Sequence, residues 1–382
     1  MPASTKRAPW EILALLRLFL AWVVLSGHLT WYPDASGGWV ETFDDFSGKA
    51  AVIGFLLVSG FSMSASLERD EKGFYLRRLL RIYPLYLGAV LMSLLIEAAT
   101  RGHVQIGAFS IDGETSSAAF AHLFFLQGFL VKPLQFDGPL WSLAIEVFYY
   151  ALAPFFRRAE PRLLLALMSL SLLCYFLPRR GDAGLVYHAV VKSNALDYLW
   201  CWLLGFRLWR DRTLPTLAFA GLGAAAARFG PYTPEPFAVV TYLLTLAALL
   251  LGDRIAFPHR LRRLATDLGA FSYPLYLFHF PAMIMGYAIF GLETPEALLA
   301  VALATTVLAF AFDRAWERCR RLLLAGSAPG ARYVPVSATG VHSTCSIRSA
   351  PLASMTSRSK PSATPLAGGI WASAARKSSS IG

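Results

Sequence analysis

The chain has 382 residues, 56% of them hydrophobic and only 15% charged, a composition that excludes an ordinary soluble domain and fits a polytopic membrane protein. The formal net charge of +11 does not point to nucleic acid, because the basic residues sit between apolar runs rather than along one soluble face. The four cysteines, Cys174, Cys201, Cys319 and Cys345, show neither a disulfide framework nor metal-ligand spacing.

Apolar runs of about 17–25 residues mark membrane helices, and they fall near 11–32, 48–66, 76–98, 139–157, 161–178, 194–210, 213–229, 236–252, 268–290 and 296–314. Lys6 and Arg7 precede the first run, but no small-residue cleavage site follows it, so it reads as an uncleaved span. The apolar piece from Ser117 to Leu130 ends before Lys132-Pro133 and is too short to cross, which suits a re-entrant or interfacial segment. With a cytoplasmic N-terminus, most Lys and Arg fall on the inside, and only Lys49, Arg101, Lys132, Arg179, Arg180, Lys192 and Arg228 fall opposite. That is the positive-inside pattern. The predicted fold is an all-α integral membrane protein of about ten transmembrane helices with both ends inside and no soluble domain. Residues 1–10 form a cytoplasmic N-terminus and 11–324 the membrane domain; the Ser-, Ala- and Pro-rich composition of 325–382 predicts a disordered cytoplasmic tail.

Several ionisable groups lie inside or at the edge of these runs, where burial in lipid is costly and a functional site is the default reading. Arg17 and His28 are eleven residues apart, which returns both to one helix face about 16 Å apart along the axis. Glu146 lies about two turns inside the outer end of its helix, and His279 near mid-membrane beyond Pro274. An imidazole beside a carboxylate makes a general base with an orienting partner, and His28 with Glu146 is the expected pair; His279 reads either as a second tuning group or as a helix-to-helix hydrogen bond. Arg77, Arg78 and Arg81 cluster at the cytoplasmic foot of the third span, and guanidinium forks match phosphate oxygens. Small residues at Gly54–Phe61 and around Gly221 and Gly223 favour close helix packing.

Together these residues resemble a known set. Arg17 with His28 resembles the R-x10-H signature of the membrane acyltransferase-3 family of bacterial glycan O-acyltransferases. Gly54–Phe61, Arg77–Pro84, Leu140–Glu146 and Ser272–His279 agree with further stretches of that family in order and position, covering about 10–320. The resemblance implies a ten-helix protein of the bacterial inner membrane. It further implies transfer of an acyl group, acetyl foremost, from cytosolic acyl-CoA (acetyl-CoA) to a hydroxyl of a cell-surface carbohydrate such as an O-antigen or exopolysaccharide. The family's important Arg and His map onto Arg17 and His28, and its cytoplasmic arginine motif onto Arg77, Arg78 and Arg81; in the mechanism expected from this, His28 is the catalytic base with Glu146 or His279 tuning it, and Arg17, Arg77, Arg78 and Arg81 bind the donor. A covalent acyl-histidine relay is an open variant. The partners expected are membrane lipid, acyl-CoA and the carbohydrate acceptor, with no nucleic acid and no metal. The alternative function is a proton-coupled transporter or glycolipid flippase in which His28, Glu146 and His279 relay protons.

Overall fold

Helices carry most of the chain, and their order follows the apolar runs. The computed structural model describes residues 9–33, 38–113, 115–177 and 194–326; Lys6, Arg7, Arg179, Arg180, Lys192 and the predicted tail from 327 onward lie outside the described residues. In chain order come α1 (Trp10–Leu29), α2 (Gly38–Asp44), α3 (Gly48–Arg69), α4 (Phe74–Ala99), strands β1 (His103–Ile106) and β2 (Phe109–Asp112), and α5 (Ser116–His122). Then follow α6 (Leu140–Arg158), α7 (Pro161–Phe176), α8 (Leu199–Arg210), α9 (Leu214–Phe229), α10 (Ala238–Leu251), α11 (His259–Ala288) and α12 (Pro295–Gly326).

A helix lies on each of the ten predicted spans, but only α1, α3, α4 and α12 are both long and apolar enough to cross a bilayer by themselves. The 12 residues of α8 extend only about 18 Å, short of a hydrocarbon core of about 30 Å. Large apolar side chains such as Leu95, Leu173, Leu308 and Phe312 remain exposed on the outer faces, as lipid-facing positions require. The protein is a multi-pass membrane protein. The Ser117–Leu130 stretch does not cross: it forms the seven-residue α5 and then turns.

Helix ends follow local chemistry. The Ser47 hydroxyl accepts from the Ala50 N–H at 3.2 Å and caps α3. Gly73 takes a left-handed conformation, φ +68°, and starts α4 immediately afterwards. Within α4, Pro84 has no N–H to offer the Leu80 carbonyl four residues earlier; the Trp316 indole of α12 donates to that carbonyl instead, at 2.8 Å. A tryptophan near the end of the membrane domain therefore satisfies a carbonyl left open near its beginning.

The centre of the bundle is α3 packed against α8, with α1 held between α3 and α11. Backbones nearly touch at the first of these crossings. A Cβ built on Gly60 would lie 1.9 Å from the Trp202 carbonyl oxygen, and one on Gly205 would lie 2.0 Å from that of Leu57. Glycine is required at both positions by space rather than by dihedral angle. The predicted packing role also holds at Gly54, against Leu20 and Thr245, and at Gly223, against Tyr242, whereas Gly221 faces open space.

One element departs from the expected all-α class. β1 and β2 form an antiparallel hairpin, turning at Gly107 with φ +53°. Its strands alternate: Val104, Ile106 and Ile111 are buried among Leu25, Leu29 and Phe280, while His103, Gln105, Ser110 and Asp112 are exposed. Each strand has only four residues, too short a period-two signal to stand out between long apolar runs. His103 lies 2.9 Å from Asp112 across the ladder, and this hydrogen bond holds the Asp112 carboxyl below its ordinary range.

Candidate active site

Two polar sites lie at opposite ends of α1. At the end nearer the hairpin, His28 meets His279 of α11, with 3.1 Å between His28 Nδ1 and His279 Nε2. The backbone settles which nitrogens carry protons. His279 Nδ1 lies 3.0 Å from the Leu275 carbonyl and 2.9 Å from that of Tyr276; carbonyls only accept, so His279 is protonated at Nδ1 and presents a lone pair at Nε2. His28 Nδ1 faces that lone pair and, at 2.8 Å, the Val24 carbonyl. Surrounded by acceptors, it must be the donor. The basic lone pair of neutral His28 is therefore on Nε2, and the imidazole is oriented by two partners, as a general base needs.

Aromatic rings enclose this dyad. Phe280 and Trp31 pack edge-on against His28, with centroids at 4.9 and 5.4 Å, and Phe109 from the hairpin stacks on Trp31 at 4.6 Å. His279 is fully buried and His28 half-buried. Toward the middle of the bundle, Tyr276 lies 2.6 Å from the Ser142 hydroxyl, and both reach the Pro139 carbonyl that opens α6.

Arginines gather at the other end. Arg17 and Arg78 each lie within electrostatic reach of Arg81, Glu146 and Tyr150. None of the three guanidiniums makes a hydrogen bond or ion pair among the described residues, and the Arg17 Nε is sealed from solvent without a partner. Arg17 and Arg78 are half-buried and Arg81 is exposed; a sealed cationic donor such as Arg17 Nε is costly to leave unsatisfied, and a cluster of this kind can accept an anion. Arg77 is not part of it. Its guanidinium is tied to the α3–α4 loop, 2.7 Å from the Asp70 carboxylate and 2.7 Å from the Asp70 carbonyl.

Glu146 does not pair with His28. Tyr150, one turn further along α6 and on the same face, donates to its carboxylate. The Trp202 indole donates to Ser59 at 3.2 Å, and Ser59 lies 3.2 Å from the Tyr150 hydroxyl. The donors thus run from Trp202 through Ser59 and Tyr150 and end on Glu146, which stands as the counter-charge to the arginines. The proton relay of His28, Glu146 and His279 required by a transporter is not assembled. Tyr150 and Trp31 are site residues the sequence does not single out, and Ser59 and Tyr276 are not distinguished within Gly54–Phe61 and Ser272–His279, since uncharged hydroxyls and rings are ordinary inside a bundle.

Comparison with known proteins identifies the family of the chain. A family model described as an acyltransferase domain matches residues 10–314, which holds both ends of the site. The chain is a member of this acyltransferase family. The acyltransferase is similar to acyltransferase MdmB of Streptomyces mycarofaciens, 26% identical over 335 residues that cover 77% of this chain and 83% of that one. It is also similar to a putative membrane-bound transacylase, BcsY, of Komagataeibacter xylinus, 24% identical over 296 residues covering 70% and 73% of the two chains. No solved structure matches the acyltransferase.

Proposed function

We propose that this acyltransferase moves an acyl group, acetyl foremost, from cytosolic acyl-CoA to a hydroxyl of a cell-surface carbohydrate such as an O-antigen or exopolysaccharide. In this reading it crosses the bacterial inner membrane ten times with both termini cytoplasmic, so the arginines face the cytosol. The observation that carries the proposal is the pair of sites on α1: Arg17, Arg78 and Arg81 without hydrogen-bonded partners at one end, and the oriented His28 at the other. Guanidinium forks suit the phosphates of CoA. The separation of about 16 Å along α1 resembles the reach of an extended pantetheine arm. The thioester supplies an activated acyl carbon; the chain supplies orientation and the base. His28 Nε2 takes the proton of the acceptor hydroxyl as its oxygen bonds to the acyl carbon, the C–S bond breaks, and the proton then passes to the departing thiolate.

The testing experiment is transfer of radiolabelled acetyl from acetyl-CoA to glycan in membrane vesicles. Label is expected in inverted vesicles containing the protein and not in right-side-out vesicles; equal labelling in both orientations contradicts the cytosolic donor side. A second expectation concerns the arginines. A charge-assisted hydrogen bond is worth about 1.5–3 kcal/mol, so Arg17→Ala or Arg78→Ala is expected to raise the KM for acetyl-CoA by about 10- to 100-fold. Arg77→Ala, whose guanidinium serves the Asp70 loop, is expected to stay within about twofold. Steady-state kinetics at equal protein abundance checks both, and a donor KM unaltered in the first two variants removes the phosphate role.

A further inference from the structure

Beyond the hairpin, a second feature bears on the acceptor. A groove of about 660 Å³ runs between β1 and the end of α11, lined by Thr100, His103, Gln105, Tyr287 and Glu293 among others. Its volume is that of a ligand site, and its walls are polar with one aromatic face. The outward His103 N–H of β1 donates to the Thr100 carbonyl at 3.4 Å, so it is the side chains of β1 that the groove offers. Glu293 and Gln105 are exposed, and no hydrogen bond engages the Glu293 carboxylate among the described residues. Tyr32, buried and outside the lining, packs edge-on against Tyr287 with ring centroids at 5.3 Å and braces that ring.

The groove is in register with the base. Tyr287 follows His279 by eight residues on α11, so the groove begins roughly 12 Å beyond the histidine dyad at 1.5 Å per helical residue. Carboxylate, amide and imidazole groups bind neighbouring hydroxyls, and a tyrosine face suits the apolar side of a sugar ring. The separation leaves one ring at His28 and a later ring of the same chain in the groove.

We propose that this groove is an acceptor subsite that holds a sugar residue distal to the one acylated, so that the enzyme selects oligosaccharides over monosaccharides. The proposal rests on the carbohydrate reading given above and specifies where the acceptor chain lies. The test uses the full-length protein in lipid nanodiscs with radiolabelled acetyl-CoA and fragments of bacterial O-polysaccharide and exopolysaccharide one to six sugar residues long. With the wild type, acceptor KM is expected to fall at least about tenfold between one and three residues. In the double variant Gln105→Ala/Glu293→Ala, both of whose sites are exposed, and separately in Tyr287→Ala, the trisaccharide KM is expected to rise about tenfold and the length dependence to disappear, with kcat and the acetyl-CoA KM within about threefold. A general loss of fold would instead lower kcat and alter the donor KM. Wild-type transfer with a length dependence that survives both variants overturns the subsite alone. Absence of wild-type transfer to any fragment overturns the carbohydrate reading, and the subsite with it.

Discussion

His28→Ala is expected to lower kcat for acyl transfer by roughly 10²–10⁴, the usual contribution of a positioned general base, with little change in the KM for acyl-CoA. The donor's phosphates are assigned to arginines at the far end of α1, so removing the imidazole leaves them untouched. Activity of the wild type should also fall on the acid side, because protonation fills the Nε2 lone pair, and this limb should be missing from whatever rate the alanine variant retains. His279→Ala is expected to cost less, roughly tenfold, since the Val24 carbonyl still accepts from His28 Nδ1 while the second orienting partner is gone. His279→Gln, which can again present an acceptor, should recover part of that loss. Steady-state pH profiles of the three variants check the order; wild-type turnover in His28→Ala sinks the assignment.

Gly60→Ala is expected to deprive the bundle of its central crossing. The new methyl would overlap the Trp202 carbonyl oxygen at 1.9 Å, and that oxygen belongs to helix backbone that cannot rotate away. The helices must separate along the whole α3–α8 contact, where overpacking alone typically costs 1–3 kcal/mol and where the loss of close packing adds to it. Most of the protein is expected to be lost from the monodisperse fraction after detergent extraction, with the same result for Gly205→Ala. Gly221→Ala serves as the comparison, because nothing lies within 4 Å of its added methyl; alanine there should be neutral or stabilising by up to about 1 kcal/mol. Size-exclusion profiles and thermal unfolding of the three variants decide, and a well-folded Gly60→Ala protein would contradict the crossing.

The site was legible where one helix carries it. Arg17 and His28 share a face by simple periodicity, and the arginine cluster was visible at Arg78 and Arg81 because charge is rare beside apolar runs. What crosses the chain was not legible. His28 and His279 are 251 positions apart, and nothing local says that their rings meet or which nitrogens face each other. The same limit explains Glu146, whose distance from its helix end suggested the level of His28. Its direction was set instead by α6 turning that face toward Tyr150, Ser59 and the arginines. Arg77 differs from Arg78 by one residue, a rotation of about 100°, which is enough to send it to Asp70. The hairpin was hidden by its shortness, although Val104, Ile106 and Ile111 share an apolar cluster with Phe280, the ring that lies against His28.

The arrangement around Glu146 has a consequence for how the donor arrives. Glu146 lies within electrostatic reach of Arg17, Arg78 and Arg81, and Asp313 within reach of Arg81. The positive charge gathers around Arg17, whose Nε is shut from water where an uncompensated ion is expensive, so between turnovers the cluster is expected to draw small anions from the medium. With the donor's phosphates bound there as proposed, donor binding is an ion exchange rather than an addition: each incoming phosphate releases an ion already held. Salt accordingly acts as a competitor of the donor as well as a screen, and the rise of donor KM with chloride concentration counts the ions displaced.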